Sequence, residues 1–145
     1  MAGGDAGCAM ALDEAVSRSV AIGVGCRADV AGEDIAALVK RTLEEFGEPE
    51  GERRLFTLDA KASEPGIIEA ARLIGAALHG LPLAALQAQA AHVLTPSKPA
   101  QARFGAPNIA EASALAGAGA GARLIGPRLA ANGATCAIAL SADAP

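Results

Sequence analysis

The sequence predicts a single α/β domain, a three-layer α/β/α sandwich on a mixed sheet of about five strands with an antiparallel edge. Short apolar runs alternate with segments of helical period along most of the chain. Asn132-Gly133, a dipeptide typical of hairpin turns, joins the last two apolar runs. The length of 145 residues fits one domain.

The first half of this domain is expected to hold two strands and two helices. Ser19–Gly25 is a short apolar run closed by glycines, which is typical of a buried strand. The apolar side chains of Gly32–Phe46 recur at helical spacing, so this segment predicts an amphipathic helix. Arg54–Asp59 predicts the second strand. A second helix, with Ser63 as its N-cap, is expected to reach residue 78 before Gly80 ends it.

The second half is less regular. Leu81–Leu86 predicts a third, weaker strand, and 88–94 a short helix. The stretch 95–99 is expected to be irregular, because its two prolines lie three residues apart. Asn108 and Glu111 match a capping box that starts an Ala-rich helix. The final two strands are expected over 123–126 and 134–140.

The chain carries no evident targeting or membrane segment. No apolar run approaches the roughly 18 residues that a membrane span needs, and residues 1–16 lack a basic start, so we expect a loose arm ahead of a domain over 17–145. The three cysteines are widely spaced, without a C-x-x-C pair. This pattern predicts free thiols, a cytoplasmic location, no metal site and no cofactor.

Charge is unevenly distributed along the chain. Residues 1–90 carry 8 basic and 14 acidic side chains, whereas residues 91–145 carry 4 basic and 2 acidic ones. A locally positive C-terminal part suits an anionic small molecule. An equally open alternative is a chance imbalance on solvated faces. The absence of a basic stripe and of stacking aromatics argues against nucleic acid.

Candidate ligand-binding residues follow the strands, because ligands of open α/β sheets bind at the carboxyl ends of the strands. The predicted substrate-binding residues are Gly25, Cys26, Arg27, Lys61, Thr95, Ser97 and Lys98. Other readings stay open: Cys26 as a packing residue, Asp59 with Lys61 as a surface ion pair, and Ser97 as a turn residue. The Gly23-x-Gly25 pair lacks the third glycine of a dinucleotide fingerprint.

Five short motifs occur in an order that resembles one family. They are Gly23-x-Gly25-Cys26-Arg27, Asp59-x-Lys61-x-x-Glu64-x-Gly66, Thr95-Pro96-Ser97, the Asn108–Leu115 helix, and Gly133-Ala-Thr135-x-Ala137. Together they resemble the CobE/CbiG C-terminal domain family of cobalamin biosynthesis. The resemblance covers roughly residues 18–141, and the chain is too short for the domains that precede this one in CbiG.

The resemblance implies a protein of corrin-ring biosynthesis that acts near ring contraction. Its expected partners are a precorrin or hydrogenobyrinic-acid-type intermediate and other enzymes of the pathway, with no nucleic acid and no membrane. Such an intermediate has many carboxylates around a flat apolar ring. Expected donors are Arg27, Lys61, Lys98, Arg103 and Arg128, and the expected apolar shelf is Val24, Leu94 and Phe104.

Two hypotheses of different classes follow from this resemblance. In the first, the chain binds the intermediate and carries it. In the second, it is a hydrolase that opens the ring-A lactone or releases the extruded two-carbon unit, as CbiG-type proteins do, with Asp59 or Glu64 as the base that activates water. A third possibility is a structural subunit of a biosynthetic complex with no ligand of its own.

Overall fold

The computed structural model describes residues 19–105 and 108–142, so the predicted arm over residues 1–16 lies outside it. The elements, in chain order, are β1 (Ser19–Cys26), α1 (Gly32–Glu45), β2 (Glu52–Leu58), α2 (Pro65–Ile74), β3 (Ala77–Leu81), α3 (Leu83–Gln87), α4 (Lys98–Phe104), α5 (Ile109–Ala118), β4 (Arg123–Leu124), β5 (Leu129–Ala131) and β6 (Ala134–Leu140). Short 3₁₀ turns cover Asp59–Lys61 and Ala90–His92. None of the helices described is long and apolar enough to cross a membrane.

The strands form one mixed sheet in the order β3-β2-β1-β6-β4, with β5 also paired to β6. β1, β2 and β3 run parallel, since a helix connects β1 to β2 and another connects β2 to β3. β6 lies antiparallel to β1, and β4 and β5 pair antiparallel with opposite halves of β6. The predicted α/β class is therefore confirmed, with six strands in the sheet instead of about five.

Helices cover both faces of the sheet. On one face, alternate side chains of β1 (Val20, Ile22 and Val24) pack with the apolar stripes of α1 and α2 in the main core. On the other face, α5 lies directly on β1. A Cβ placed on Gly23 would lie 2.6 Å from the Ala114 backbone nitrogen, so glycine permits this close approach.

α5 is buried along most of its length. Its first seven residues, Ile109–Leu115, are all buried, so small alanines let it fit between the sheet and the chain that covers it. Asn108 caps this helix as predicted, because its side chain accepts a hydrogen bond from the Glu111 N–H at 3.0 Å. The helix runs to Ala118, past Leu115, where the motif named in the sequence ends.

Two boundaries around the third strand were predicted wrongly. α2 ends at Ile74, where Gly75 takes the left-handed conformation (φ 77°) and terminates the helix. β3 therefore begins at Ala77, before the predicted 81–86, and that later stretch holds α3 instead. Ser63 is not the cap of α2: Glu64 takes that position and makes no side-chain cap bond.

Two further predictions need correction. Ser97 accepts a hydrogen bond from the Ala100 N–H at 3.2 Å, and α4 begins at Lys98 with Pro99 in its first turn, inside the stretch that was expected to be irregular. The hairpin at Asn132-Gly133 exists, but its first strand is β5. The strand that was expected over 123–126 is the short strand β4, which pairs with the C-terminal end of β6.

Candidate binding cleft

One cleft lies at the carboxyl end of β1, where predicted binding residues from three separate parts of the chain, 25–27, 61 and 97, come together. Its volume is about 190 Å³. The residues that line it are Gly25, Cys26, Arg27, Lys61, Ser97, Pro99, Ala100, Asn108, Ile109, Arg128, Gly133 and Thr135. Five of the seven predicted substrate-binding residues are in this lining: Gly25, Cys26, Arg27, Lys61 and Ser97.

The topology of the sheet explains why distant parts of the chain meet here. β1 ends at Cys26, and antiparallel pairing sets the beginning of β6 beside it, with Gly25 opposite Thr135. α5 begins on the other face of the same strand end, where the side chain of Ile109 lies 3.3 Å from a Cβ built on Gly25. The cleft is thus bounded by the end of β1, the start of β6 and the N-terminus of α5.

Three cationic side chains surround the cleft. Lys61, in the turn after β2, is buried with 7% of its surface exposed, while Arg27 is exposed and Arg128 half-buried. The backbone N–H of Arg27 donates to the Gly133 carbonyl at 2.9 Å. The guanidinium of Arg27 also lies over Gly133, since a Cβ built on that glycine would sit 2.6 Å from the Arg27 Nε. No Asp or Glu of the described chain is among the lining residues, so the cleft favours anions.

Neutral hydrogen-bonding groups complete the lining. Asn108 is 1% exposed, and its side chain donates to the Thr95 carbonyl at 2.6 Å while capping α5. The Thr135 hydroxyl lies 3.4 Å from the Gly25 carbonyl. α5 also begins at this edge, and the buried Glu111 in its first turn offsets the positive end of the helix dipole.

Cys26 is suited to packing more than to nucleophilic chemistry. Burial raises the pKa of its thiol above the usual 9.0, and the negative Glu64 adds to this effect, whereas Lys61 opposes it in part. The thiol is therefore protonated at neutral pH, and a protonated thiol is a poor nucleophile. Cys26 contributes its uncharged surface to the cleft floor.

Two predicted binding residues do not line the cleft. Thr95 turns its hydroxyl to the buried carboxylate of Glu111, with Oγ1 at 2.8 Å from Oε2. Lys98, the first residue of α4, is exposed.

Of the predicted apolar shelf, Val24 is fully buried in the core on the opposite face, and Leu94 is 56% exposed outside the lining. The side chains of Arg103 and Phe104 lie outside the described part of the structure.

The two candidate catalytic carboxylates also lie outside the lining. Asp59 is exposed in the turn after β2, with its carboxylate against the Gly80 backbone. Glu64 is half-buried at the start of α2, close enough to Cys26 to affect its pKa. The predicted extent of the second helix to residue 78 would put His79 at the C-terminus of that helix. It lies instead in β3, stacked on Phe56 with ring centroids 5.3 Å apart.

Several lining residues were missed from the sequence. Asn108 was assigned to a helix cap, Ile109 to the helix that follows it, Gly133 to a turn and Thr135 to a strand. A signal existed for two of them, since an antiparallel last strand begins where a parallel first strand ends. Pairing β6 directly with β1 would have placed residues 133–135 at this edge.

Comparison with known proteins shows the family. A family model described as "Cobalamin synthesis G C-terminus" matches residues 20–139. This chain belongs to that family. It is 36% identical to "Protein CobE" of Sinorhizobium sp over 119 residues, which cover 81% of this chain and 77% of that protein.

Solved structures agree with this family membership. The crystal structure of CobE, described as a protein from the cobalamin (vitamin B12) biosynthetic pathway, matches with a TM-score of 0.81 and 33% identity, over 90% of this chain and 95% of that one. The cobalamin biosynthesis protein chiG from Agrobacterium tumefaciens str. C58 matches with a TM-score of 0.65 and 34% identity, over 86% and 99%. The CbiG C-terminal fold and family that the motifs indicated are therefore confirmed.

Proposed function

We propose that this member of the cobalamin-synthesis family binds the carboxylate-bearing edge of a corrin-type intermediate, a precorrin or a hydrogenobyrinic-acid-type ring, and carries it to a further enzyme of the pathway. The observation that carries the proposal is the cleft at the end of β1, which Arg27, Lys61 and Arg128 line and to which the described part of the chain contributes no lining carboxylate. Several cations at one edge match a ligand whose rim bears several carboxylates.

The size of the cleft indicates how such a ligand binds. Pockets that enclose a drug-sized ligand occupy roughly 300–1,000 Å³, whereas this cleft has a volume of about 190 Å³. A corrin-type ring is larger than a typical drug, so only its edge and one or two carboxylate arms fit. Edge-on binding leaves most of the macrocycle outside the protein, which suits transfer to another protein.

Each part of the lining has a role in this proposal. Arg27 and Arg128 bind carboxylates at the rim with paired N–H donors, and the buried Lys61 binds the arm that reaches the floor. Ser97 and Asn108 contribute uncharged polar contacts. The apolar surfaces of Pro99 and Ile109 contact the ring edge.

Binding is favoured over hydrolysis by the make-up of the cleft. A hydrolase needs a base within hydrogen-bond reach of the attacking water, and among residues 19–105 and 108–142 no Asp, Glu or His lines the cleft. Hydrolysis by Asp59 or Glu64 stays a prediction, and it requires the ligand to extend beyond the cleft. Turnover of a lactone-bearing precorrin that is lost in Asp59→Asn or Glu64→Gln would support this alternative.

The test is a titration of purified protein with hydrogenobyrinic acid, followed by its visible absorbance and by co-elution in gel filtration. We expect Arg27→Gln and Arg128→Gln each to weaken binding by about tenfold, as loss of a charged hydrogen bond predicts. Arg123→Gln is the matched control, because Arg123 is exposed and pairs with the end of β6 far from the cleft. Lack of binding by the wild-type protein, or equal losses in all three variants, would refute the proposal.

A further inference from the structure

Glu111 is a charged residue type with no exposed surface, in the first turn of α5. Its carboxylate accepts four hydrogen bonds. Oε1 accepts from the backbone N–H groups of Leu94 and Thr95 at 2.8 and 2.9 Å. Oε2 accepts from the Thr95 hydroxyl at 2.8 Å and from the backbone N–H of Arg128 at 2.9 Å. A buried carboxylate is tolerated when donors fill its acceptor sites in this way.

These four bonds join two segments of the chain that each supply a lining residue of the cleft. Leu94 and Thr95 lie two to three residues before Ser97, and Arg128 belongs to the other segment. Asn108 strengthens the first connection, because its side chain donates to the Thr95 carbonyl while it caps the same helix. Segments on either side of α5 in the sequence are thus held to one carboxylate at the start of that helix.

We propose that Glu111 is a positioning residue for the binding cleft: it holds the segments that carry Arg128 and Ser97 in place relative to one another without contacting the ligand. The inference rests on the proposed function, since the positioned groups are those that would bind the intermediate. A capping box explains only part of the geometry. Its Glu side chain would return to the Asn108 N–H, whereas this one bonds to residues 94, 95 and 128.

The sharpest variant is Glu111→Gln, which keeps the shape and removes one acceptor atom. Its amide oxygen can serve the Leu94 and Thr95 N–H groups, but its NH₂ group then faces the Arg128 N–H, donor against donor. We expect the segment around Arg128 to lose its position and the affinity for hydrogenobyrinic acid to fall by about tenfold, as loss of a hydrogen bond to a charged group predicts. Ser113→Ala, a buried change on the same helix, is the control and should bind as the wild type does.

A double-mutant cycle separates positioning from general destabilisation. If Glu111 acts through Arg128, adding Arg128→Gln to Glu111→Gln should weaken binding by less than about threefold, although the single change costs about tenfold. If Glu111 only stabilised the fold, the two losses of affinity would multiply in the double variant. Should Glu111→Gln not fold, Thr95→Val and Thr95→Ser replace it: valine removes one donor to the carboxylate and should weaken binding, and serine retains it.

The outcomes distinguish this inference from the proposed function. If the wild type binds hydrogenobyrinic acid but Glu111→Gln binds within twofold of it, or the cycle is multiplicative, the positioning role is refuted and the proposed function stands. The positioning role is likewise refuted, and the proposed function stands, if Thr95→Val and Thr95→Ser bind with equal affinity. If the wild type does not bind, the proposed function itself fails, and this inference fails with it.

Discussion

Lys61 combines a charge with burial at the floor of the cleft. Only 7% of its surface is exposed, in the turn that follows β2. Removing an ammonium group from water costs free energy, so a lysine is rarely held in such a place unless anionic or polar groups surround it. In our account, a carboxylate of the ligand is one of these groups when the protein is loaded.

Lys61→Met tests this role at the residue scale. Methionine keeps a long flexible stem and removes the charge, so we expect binding of hydrogenobyrinic acid to weaken by about tenfold or more, because a buried charged hydrogen bond is lost. Calorimetric titration gives the affinity. Lys40→Met, an exposed lysine on α1, is the control and should bind normally. Equal affinity in both variants would remove Lys61 from the site.

Cys136 gives a prediction about stability and pH. Burial in β6 raises the pKa of its thiol from 9.0 to about 12. Above pH 9 the unfolded chain loses this proton while the folded chain keeps it, so the free energy of unfolding must fall as pH rises. The expected loss is about 2 kcal/mol between pH 9 and 10.5.

Urea unfolding at several pH values measures this slope. The matched variant is Cys136→Ala, which loses packing and is therefore less stable throughout. Over the same pH interval its stability should decline less steeply than that of the wild type, by about the 2 kcal/mol attributed to the thiol. Parallel pH profiles for the two proteins would show that Cys136 is not the group responsible.

At the scale of elements, the contact between β1 and α5 fixes one side of the cleft. The helix backbone lies so close to Gly23 that a Cβ there would meet the Ala110 carbonyl and the Ala114 nitrogen. Backbone atoms in a buried helix cannot move aside as a flexible side chain can. The N-terminus of α5, with Asn108 and Ile109, therefore depends on a glycine in the middle of β1.

Gly23→Ala should destabilise the protein by about 2 kcal/mol or more, because the whole helix must shift. Chemical denaturation is the measurement. Gly80→Ala in β3 serves as the control, since the nearest atom there belongs to the exposed side chain of Asp59, which can turn away. We expect a smaller loss for Gly80→Ala, and equal losses would contradict a tight contact at Gly23.

Much of the element order could be predicted, for identifiable reasons. α1 has a clear stripe of apolar residues, and β6 is an apolar run bounded by a hairpin dipeptide, so their predicted limits lie within one residue of the structure. β3 was misplaced because Leu78 continues the helical spacing of α2, although Gly75 ends that helix. Local spacing does not show which of two glycines adopts the left-handed conformation.

The part of the candidate site that lies at the carboxyl ends of parallel strands could be predicted from the sequence. Arg27 and Lys61 were expected together, and both line the cleft, because the carboxyl ends of β1 and β2 must meet at one edge. Thr95 was expected beside them but lies outside the lining, since it bonds to Glu111, 16 residues away, which had been assigned only to a helix cap. Tertiary hydrogen bonds of that kind leave no periodic signal in a sequence.

At the scale of the whole molecule, the account requires one edge of the sheet to carry the ligand. The ends of β1 and β2, the start of β6 and the first turn of α5 all reach that edge. A second depression lies among residues 29–32, 65, 66 and 69, and its charged lining residues are Asp29 and Glu69. A polycarboxylate should avoid it, because like charges repel.

Chemical-shift mapping tests this central claim most directly. Isotope-labelled protein is titrated with hydrogenobyrinic acid, and amide shifts are followed for each residue. The account predicts changes concentrated at residues 25–27, 61, 97–100, 108–109, 128 and 133–135, with little change at 29–32 and 65–69. Changes centred on that second depression, or spread evenly over the surface, would contradict it.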